Sequence, residues 1–444
     1  MDVFAVERAH FIGIGGIGIS AIARMLIARG VSVSGSDQAD GKVVTELKKL
    51  GATIYIGHAA ENIPEDVELV IYTIAIPKDN PELVRASEMS SSGVHVMTYP
   101  EALGAFSSGM YTVAVAGTHG KTTTTGMIAS MLMHAKKDPT VIIGSFLKVP
   151  GTHNEFSNFI AGNGNILVVE SCEYKRSFLN ISPDIAIITN VDDDHLDYYK
   201  DLADIQKAFC EFVDRIKPGG VLITDITSSS VLPVARYAAE KNITVIDYRV
   251  STFDGSLSVP GAHNRMNAKA AFEAGVYMGI EEDILKEGLS QFSGTWRRFE
   301  YKGLSASGAK IYDDYGHHPT EIKATLAAAR EEFGDKTEIV AVFQPHLYSR
   351  TKEHFNEFAE AFKDANSVIL LPIYAAREPF DPSVTHTLLA EAARTHGAAA
   401  VAVGDFDEAV SKLTKELTST SILITIGAGD VYKVGERLIH TLRE

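Results

Sequence analysis

Residues 114–126 read AVAGTHGKTTTTG, and few stretches leave a chain so little freedom. An apolar run stops at two spaced glycines, and a lysine then opens a run of four threonines. The pattern is a strand, a tight loop and a helix. Gly117 and Gly120 permit the loop, and the helix start gathers unpaired backbone N–H groups at one point. Such a loop grips phosphate. Lys121 carries charge for a β- or γ-phosphate, the Thr122 hydroxyl can ligate Mg²⁺, and Thr118, His119 and Thr123 belong to the same turn. The spacing departs from the usual Walker motif: the earlier glycine is Gly117, and Val115 stands five residues before Gly120.

A second glycine stretch, HFIGIGGIGISAIA, occupies residues 10–23. Gly13, Gly15 and Gly18 fit G-x-G-x-x-G between a strand and a helix, with Gly16 and Ile17 completing the loop. The first glycine serves the turn, the second lets backbone approach a diphosphate, and the third allows close helix packing. Beyond them Ile19, Ile22, Ala23, Leu26 and Ile27 share one helical face. Asp37 ends the next strand, VSVSGSD, where an acid accepts ribose hydroxyls. On this pattern alone NAD, a UDP-sugar and a glycine turn that binds nothing all remain open.

Apolar strands and amphipathic helices alternate to the end of the chain, which predicts mainly parallel sheets with sites at the carboxyl ends of strands. The expected architecture is α/β in three domains. A Rossmann-like domain spans 1–107, a central P-loop ATPase-like domain 108–297, and a C-terminal Rossmann-like α/β domain 298–444. Lys+Arg 41 against Asp+Glu 57 leaves a net charge of -16, which argues against nucleic acid as a partner. The two cysteines make no disulfide framework and no CxxC pair. No apolar run approaches the ~20 residues of a membrane span, and MDVFAVERAH lacks a signal-peptide layout. A cytoplasmic enzyme without membrane insertion is expected.

Magnesium needs more oxygen ligands than one hydroxyl. Glu170 ends the strand NILVVE, and TNVDDDHLD follows the strand IAII. Both reach the sheet edge that carries the P-loop. The alternative readings are a solvated loop acid for Glu170 and a charge-rich helix cap for Asp192 to Asp194.

The motifs HFIGIGGIGISAIA, GTHGKTTTT, ITNVDDDHLD, PGAHNRMNAKAA, GTWRRFE, YDDYGHHPTEI and FQPHLYSRT stand in this order. Together they resemble the Mur ligases, in the branch that binds muramate, over essentially the whole chain. The resemblance implies one domain for a UDP-sugar, one for ATP and one completing the amino-acid site. It implies transfer of L-alanine to the lactyl carboxylate of UDP-N-acetylmuramate, with ATP, Mg²⁺ (Mn²⁺ can substitute) and an acyl phosphate. The expected state is a monomer or weak homodimer.

Carried over residue by residue, Lys121 grips the phosphates, and Thr122, Glu170 and His195 hold the metal. His263, Asn264 and Asn267 match the adenine-side motif, and Arg297 and Arg298 match arginines near the ATP phosphates. Asp314, His317 and His318 belong to the third domain's motif. His346 and Arg350 match positions near the sugar-lactyl and amino-acid end. The chain departs from the family at ESCEYKRSF, where Cys172 and Lys175 replace acids, and at Leu347, which replaces an arginine. A ligase for a pre-made tripeptide would share most of these motifs. An NAD-dependent oxidoreductase would leave the P-loop without work, and a UDP-sugar sensor would not need Lys121, Thr122, Glu170 and His195.

Overall fold

The computed structural model describes residues 5–148, 156–194, 198–376 and 378–440. His195, expected as a catalytic residue and metal ligand, lies outside the described residues. The chain forms two compact units, Met1–Ser256 with Met266–Phe292, and Leu257–Arg265 with Ser293–Glu444.

The first unit holds two sheets. One consists of β1 (Arg8–Ile12), β2 (Ser32–Asp37), β3 (Thr53–Ile56), β4 (Leu69–Tyr72) and β5 (His95–Thr98), in the order β3-β2-β1-β4-β5 and parallel throughout. The chain runs outward from β1 first on one side and then on the other. That reversal leaves a crevice at the carboxyl ends, where the glycine loop follows β1.

The other sheet contains β6 (Tyr111–Ala116), β7 (Thr140–Lys148), β8 (Phe156–Ile160), β9 (Ile166–Glu170), β10 (Ile185–Ile188), β11 (Val221–Thr224) and β12 (Thr244–Asp247). Its order is β12-β11-β10-β6-β9-β7-β8, so the strand feeding the P-loop sits between β9, which ends at Glu170, and β10, which leads into the acidic stretch after it. Strands such as IAII and VLIT are buried at every position, as parallel strands covered on both faces must be. Only the edge strand β8 runs antiparallel, a feature that simple alternation does not reveal.

These two sheets share one continuous hydrophobic core, running from Phe11, Ile22 and Phe106 to Ala114, Phe178 and Phe212. The helix Ile17–Ala28, which leaves the glycine loop, packs on β7 and β8. Asn158 of β8 is fully buried, and its amide donates to the Ile17 carbonyl and lies 3.1 Å from Ser20 Oγ. Polar pinning within an apolar contact fixes the helix in one place.

The second unit is built on β13 (Glu300–Leu304), β14 (Lys310–Asp314), β15 (Ile339–Phe343), β16 (Ser367–Leu370), β17 (Ala400–Ala402) and β18 (Ile422–Ile426). The order is β13-β14-β18-β15-β16-β17, with β13 antiparallel to β14 and the rest parallel. Residues Leu257–Arg265 pack with this unit: Gly261 adopts φ +101° against Ala328, and Arg265 pairs with Glu331 at 2.6 Å. Among the described residues no helix is long and apolar enough to cross a membrane.

Candidate active site

The first loop turns where β1 ends. Gly13 takes φ +80°, and the N–H groups of Gly13 and Ile14 both donate to the Ser36 carbonyl at 2.9 Å. Gly15 N donates to Asp37 Oδ2 at 2.8 Å, so Asp37, expected to face ribose, here holds the loop itself. Gly16 caps the helix with no side-chain help, leaving the N–H groups of its first turn without an intrahelical partner. A Cβ on Gly18 would lie 2.7 Å from Tyr99 Cζ, which gives that glycine its packing role.

Beneath this loop lies a charged group that sequence reading missed. Glu82 is fully buried and accepts hydrogen bonds from Ser36 Oγ, from Asn62 Nδ2 at 2.5 Å and from Ala59 N at 3.2 Å. His10 and His58 each approach its Oε2 at 3.6 Å. Burial alone would raise the carboxyl's pKa. Hydrogen bonding by His10, Ser36 and Asn62 more than reverses this and brings it to about 2. The only signal in the sequence was Asn80-Pro81-Glu82, which reads as an ordinary capped helix start.

The second loop follows β6 and is braced from β10. Gly117 adopts φ +125°, and a side chain there would run into Thr189. Asn190 Oδ1 accepts from His119 N at 2.8 Å, its Nδ2 donates to His119 O at 2.9 Å, and Thr118 Oγ1 accepts from Asp192 N at 2.9 Å. Asp192 therefore braces the P-loop from the TNVDDD stretch. Thr123 is buried in the helix that follows.

Lys121 Nζ donates to Gly117 O at 2.5 Å, to Thr118 O at 3.0 Å and to Glu173 Oε1 at 3.0 Å. Burial would lower its pKa, but the charge of Glu173, with Glu170 behind it, holds it above the ordinary lysine value. Thr122 Oγ1 donates to Glu170 Oε1 at 2.9 Å, while Gly144 N holds Glu170 Oε2 at 2.7 Å. The two oxygen donors expected for a metal are thus adjacent. Cys172 is exposed, and its thiol stands where the family pattern has an acid. Asn267 lies against Gly120, whose Cβ would stand 2.6 Å from Asn267 Oδ1.

The second unit gathers the remaining motifs at the carboxyl edge of β14, β18 and β15. Asp314 Oδ1 and Oδ2 accept from Gly316 N and Phe299 N, each at 2.8 Å. His317 Nδ1 meets Tyr315 O at 3.1 Å, and its ring lies 6.1 Å from that of His346. His346 stacks on Tyr374, and its Nδ1 is 3.3 Å from Arg350 Nη1. His318 caps the helix Pro319–Phe333 through Thr320 N. Arg298 stands over the Tyr315 ring with Nη1 3.7 Å from Glu321 Oε1. His263 is exposed at the helix start, and Asn264 Nδ2 donates to Pro260 O at 2.7 Å as a local contact there.

Arg297 departs from the expectation of an ATP-phosphate contact. It is 2% exposed, with Nε bonded to Asp313 at 2.6 Å and its terminal nitrogens to Gly429 O at 2.9 Å and Gly427 O at 2.6 Å. Its guanidinium is spent on tying β14 to the loop after β18. Leu347 takes φ +69°, a left-handed backbone for which its side chain gives no help.

Three family models match in chain order: "Mur ligase family, catalytic domain" over residues 8–111, "Mur ligase middle domain" over 115–257, and "Mur ligase, glutamate ligase domain" over 297–429. The UDP-N-acetylmuramate–L-alanine ligase of Clostridium beijerinckii is 42% identical, over 98% of this chain and 97% of its own. Among solved structures, UDP-N-acetylmuramate–alanine ligase from Thermotoga maritima superposes with a TM-score of 0.79 at 28% identity, covering 98% of this chain and 99% of its own. A murein peptide ligase from Psychrobacter arcticus shares the fold at a TM-score of 0.65 and 22% identity, over 98% of each chain.

Proposed function

Because this chain belongs to the Mur ligase family, we propose that it joins L-alanine to the lactyl carboxylate of UDP-N-acetylmuramate, converting ATP to ADP and phosphate. This step belongs to peptidoglycan precursor synthesis, in the cytoplasm. The observation that carries the reading is the pair of phosphate-type loops held by one core, one after β1 and one after β6. Each has its own anion to bind.

A carboxylate resists attack by an amine because its oxygen leaves poorly. Phosphorylation by ATP makes an acyl phosphate, and the amine nitrogen then displaces phosphate through a tetrahedral intermediate. Catalysis is mainly positioning and charge neutralisation. Lys121 exchanges Glu173 for the β/γ-phosphates, and Asn267 stands beside Gly120 at the nucleotide end. Thr122 and Glu170 offer adjacent hard oxygens and would hold Mg²⁺, or Mn²⁺ in its place, with His195 as the third ligand that the family pattern supplies. The bound ion neutralises phosphate charge. The first loop takes the uridine diphosphate. Arg298 serves the ATP phosphates, and His317, His346 and Arg350 serve the lactyl and amino-acid end.

The test is phosphate release with UDP-N-acetylmuramate and a panel of L-alanine, glycine, L-serine and tripeptides. L-Alanine should lead, although one methyl is worth only ~1–3 kcal/mol of discrimination. Release driven by a tripeptide and not by any single amino acid overturns the proposal.

A further inference from the structure

Tyr99 opens the helix Tyr99–Ser108 immediately after β5, at the carboxyl edge of the first sheet. Its phenol lies on Gly18: a Cβ there would be 2.7 Å from Cζ and 2.9 Å from Oη. The hydroxyl therefore sits over the first turn of the glycine-loop helix, whose N–H groups no side chain caps. On the other side, Glu170 and Cys172 are the ionisable groups close enough to act on the phenol. The ring is half-buried against the shared core. Among the described residues the hydroxyl has no hydrogen-bond partner.

We propose that the Tyr99 hydroxyl is a further substrate-binding donor, aimed at the sugar-proximal phosphate of the UDP-linked substrate. The inference rests on the ligase reading above. A substrate running from the glycine loop to the metal-side acid Glu170 passes this hydroxyl between its uridine end and its reacting carboxylate. A neutral phenol with one O–H to give suits an anionic oxygen there.

Tyr99→Phe keeps the ring on Gly18 and removes only the O–H. Calorimetry on wild type and variant compares UDP-N-acetylmuramate, UDP, UMP and ADP. A hydrogen bond to a charged group predicts about tenfold weaker binding of the first two. UMP, which lacks the second phosphate, and ADP should bind equally well to both proteins. Unchanged UDP affinity overturns the proposal, and so does an equal loss for UMP, which would mark a general disturbance of the site. A wild-type protein that binds ADP but no uridine nucleotide overturns the ligase reading too, and is recognised before any variant is made.

Discussion

Replacing Glu82 by glutamine should weaken the first unit by an amount that the structure sets. The carboxyl falls from its ordinary 4.5 to about 2 on folding, despite complete burial. At 1.36 kcal/mol for each tenfold change in proton affinity, that is about 3 kcal/mol of stability. The folded value lies below the unfolded one. The contribution is therefore complete above about pH 4.5 and drains away as pH falls toward about 2. Glutamine preserves the shape: its oxygen can keep accepting from Asn62 and Ala59, while its NH2 turns to Ser36, whose hydroxyl can accept as well as donate, so the main loss is the charge. Urea unfolding, followed by hydrogen exchange in peptides covering β1 and β2, should show the variant about 3 kcal/mol less stable at pH 7. The gap should close to within about 1 kcal/mol near pH 2.5. A gap of constant size from pH 7 to pH 3, or none at pH 7, would refute the assignment of Glu82 as a buried anion.

Other outcomes test the remaining assignments. Lys121→Ala should abolish ligation while UDP-sugar binding, read by calorimetry, stays within about twofold, because the phosphate clamp serves ATP alone. Gly15→Val should raise the UDP-sugar requirement in steady-state kinetics far more than the ATP requirement. Its Cβ would meet Asp37 Oδ2 at 2.8 Å and break the contact that shapes the loop. Arg297→Ala should cost the second unit ~3–5 kcal/mol by leaving Asp313 buried and unpaired. Trp296, the only tryptophan, reports that loss by fluorescence. Oxygen-18 in the lactyl carboxylate should appear in released phosphate, and label in AMP would end the acyl-phosphate route.

What could be read in advance follows from range along the chain. Both glycine loops, the P-loop lysine and the acid ending β9 were legible because each is a short pattern whose physics is local. Glu82 was not, since its burial depends on His10, Ser36 and Asn62, brought together only by the sheet. Arg297 and Arg298 are adjacent and chemically alike, yet one is locked between Asp313 and two carbonyls while the other stands partly open. Only the tertiary fold separates them. Glu173 likewise reads as one acid among several until its distance to Lys121 is known.

The seating of the glycine-loop helix on β7 and β8 has a consequence for substrate choice. With Asn158 pinning its first turn and one core beneath both sheets, the first loop and Lys121 are built on a single packed support. It works as a ruler. A UDP-linked acid is measured by length before its chemistry is tested: one bond too few and the carboxylate stops short of the γ-phosphate, one too many and it overshoots. Mutations in β8, far from either nucleotide, should therefore be felt as a change in which acid fits.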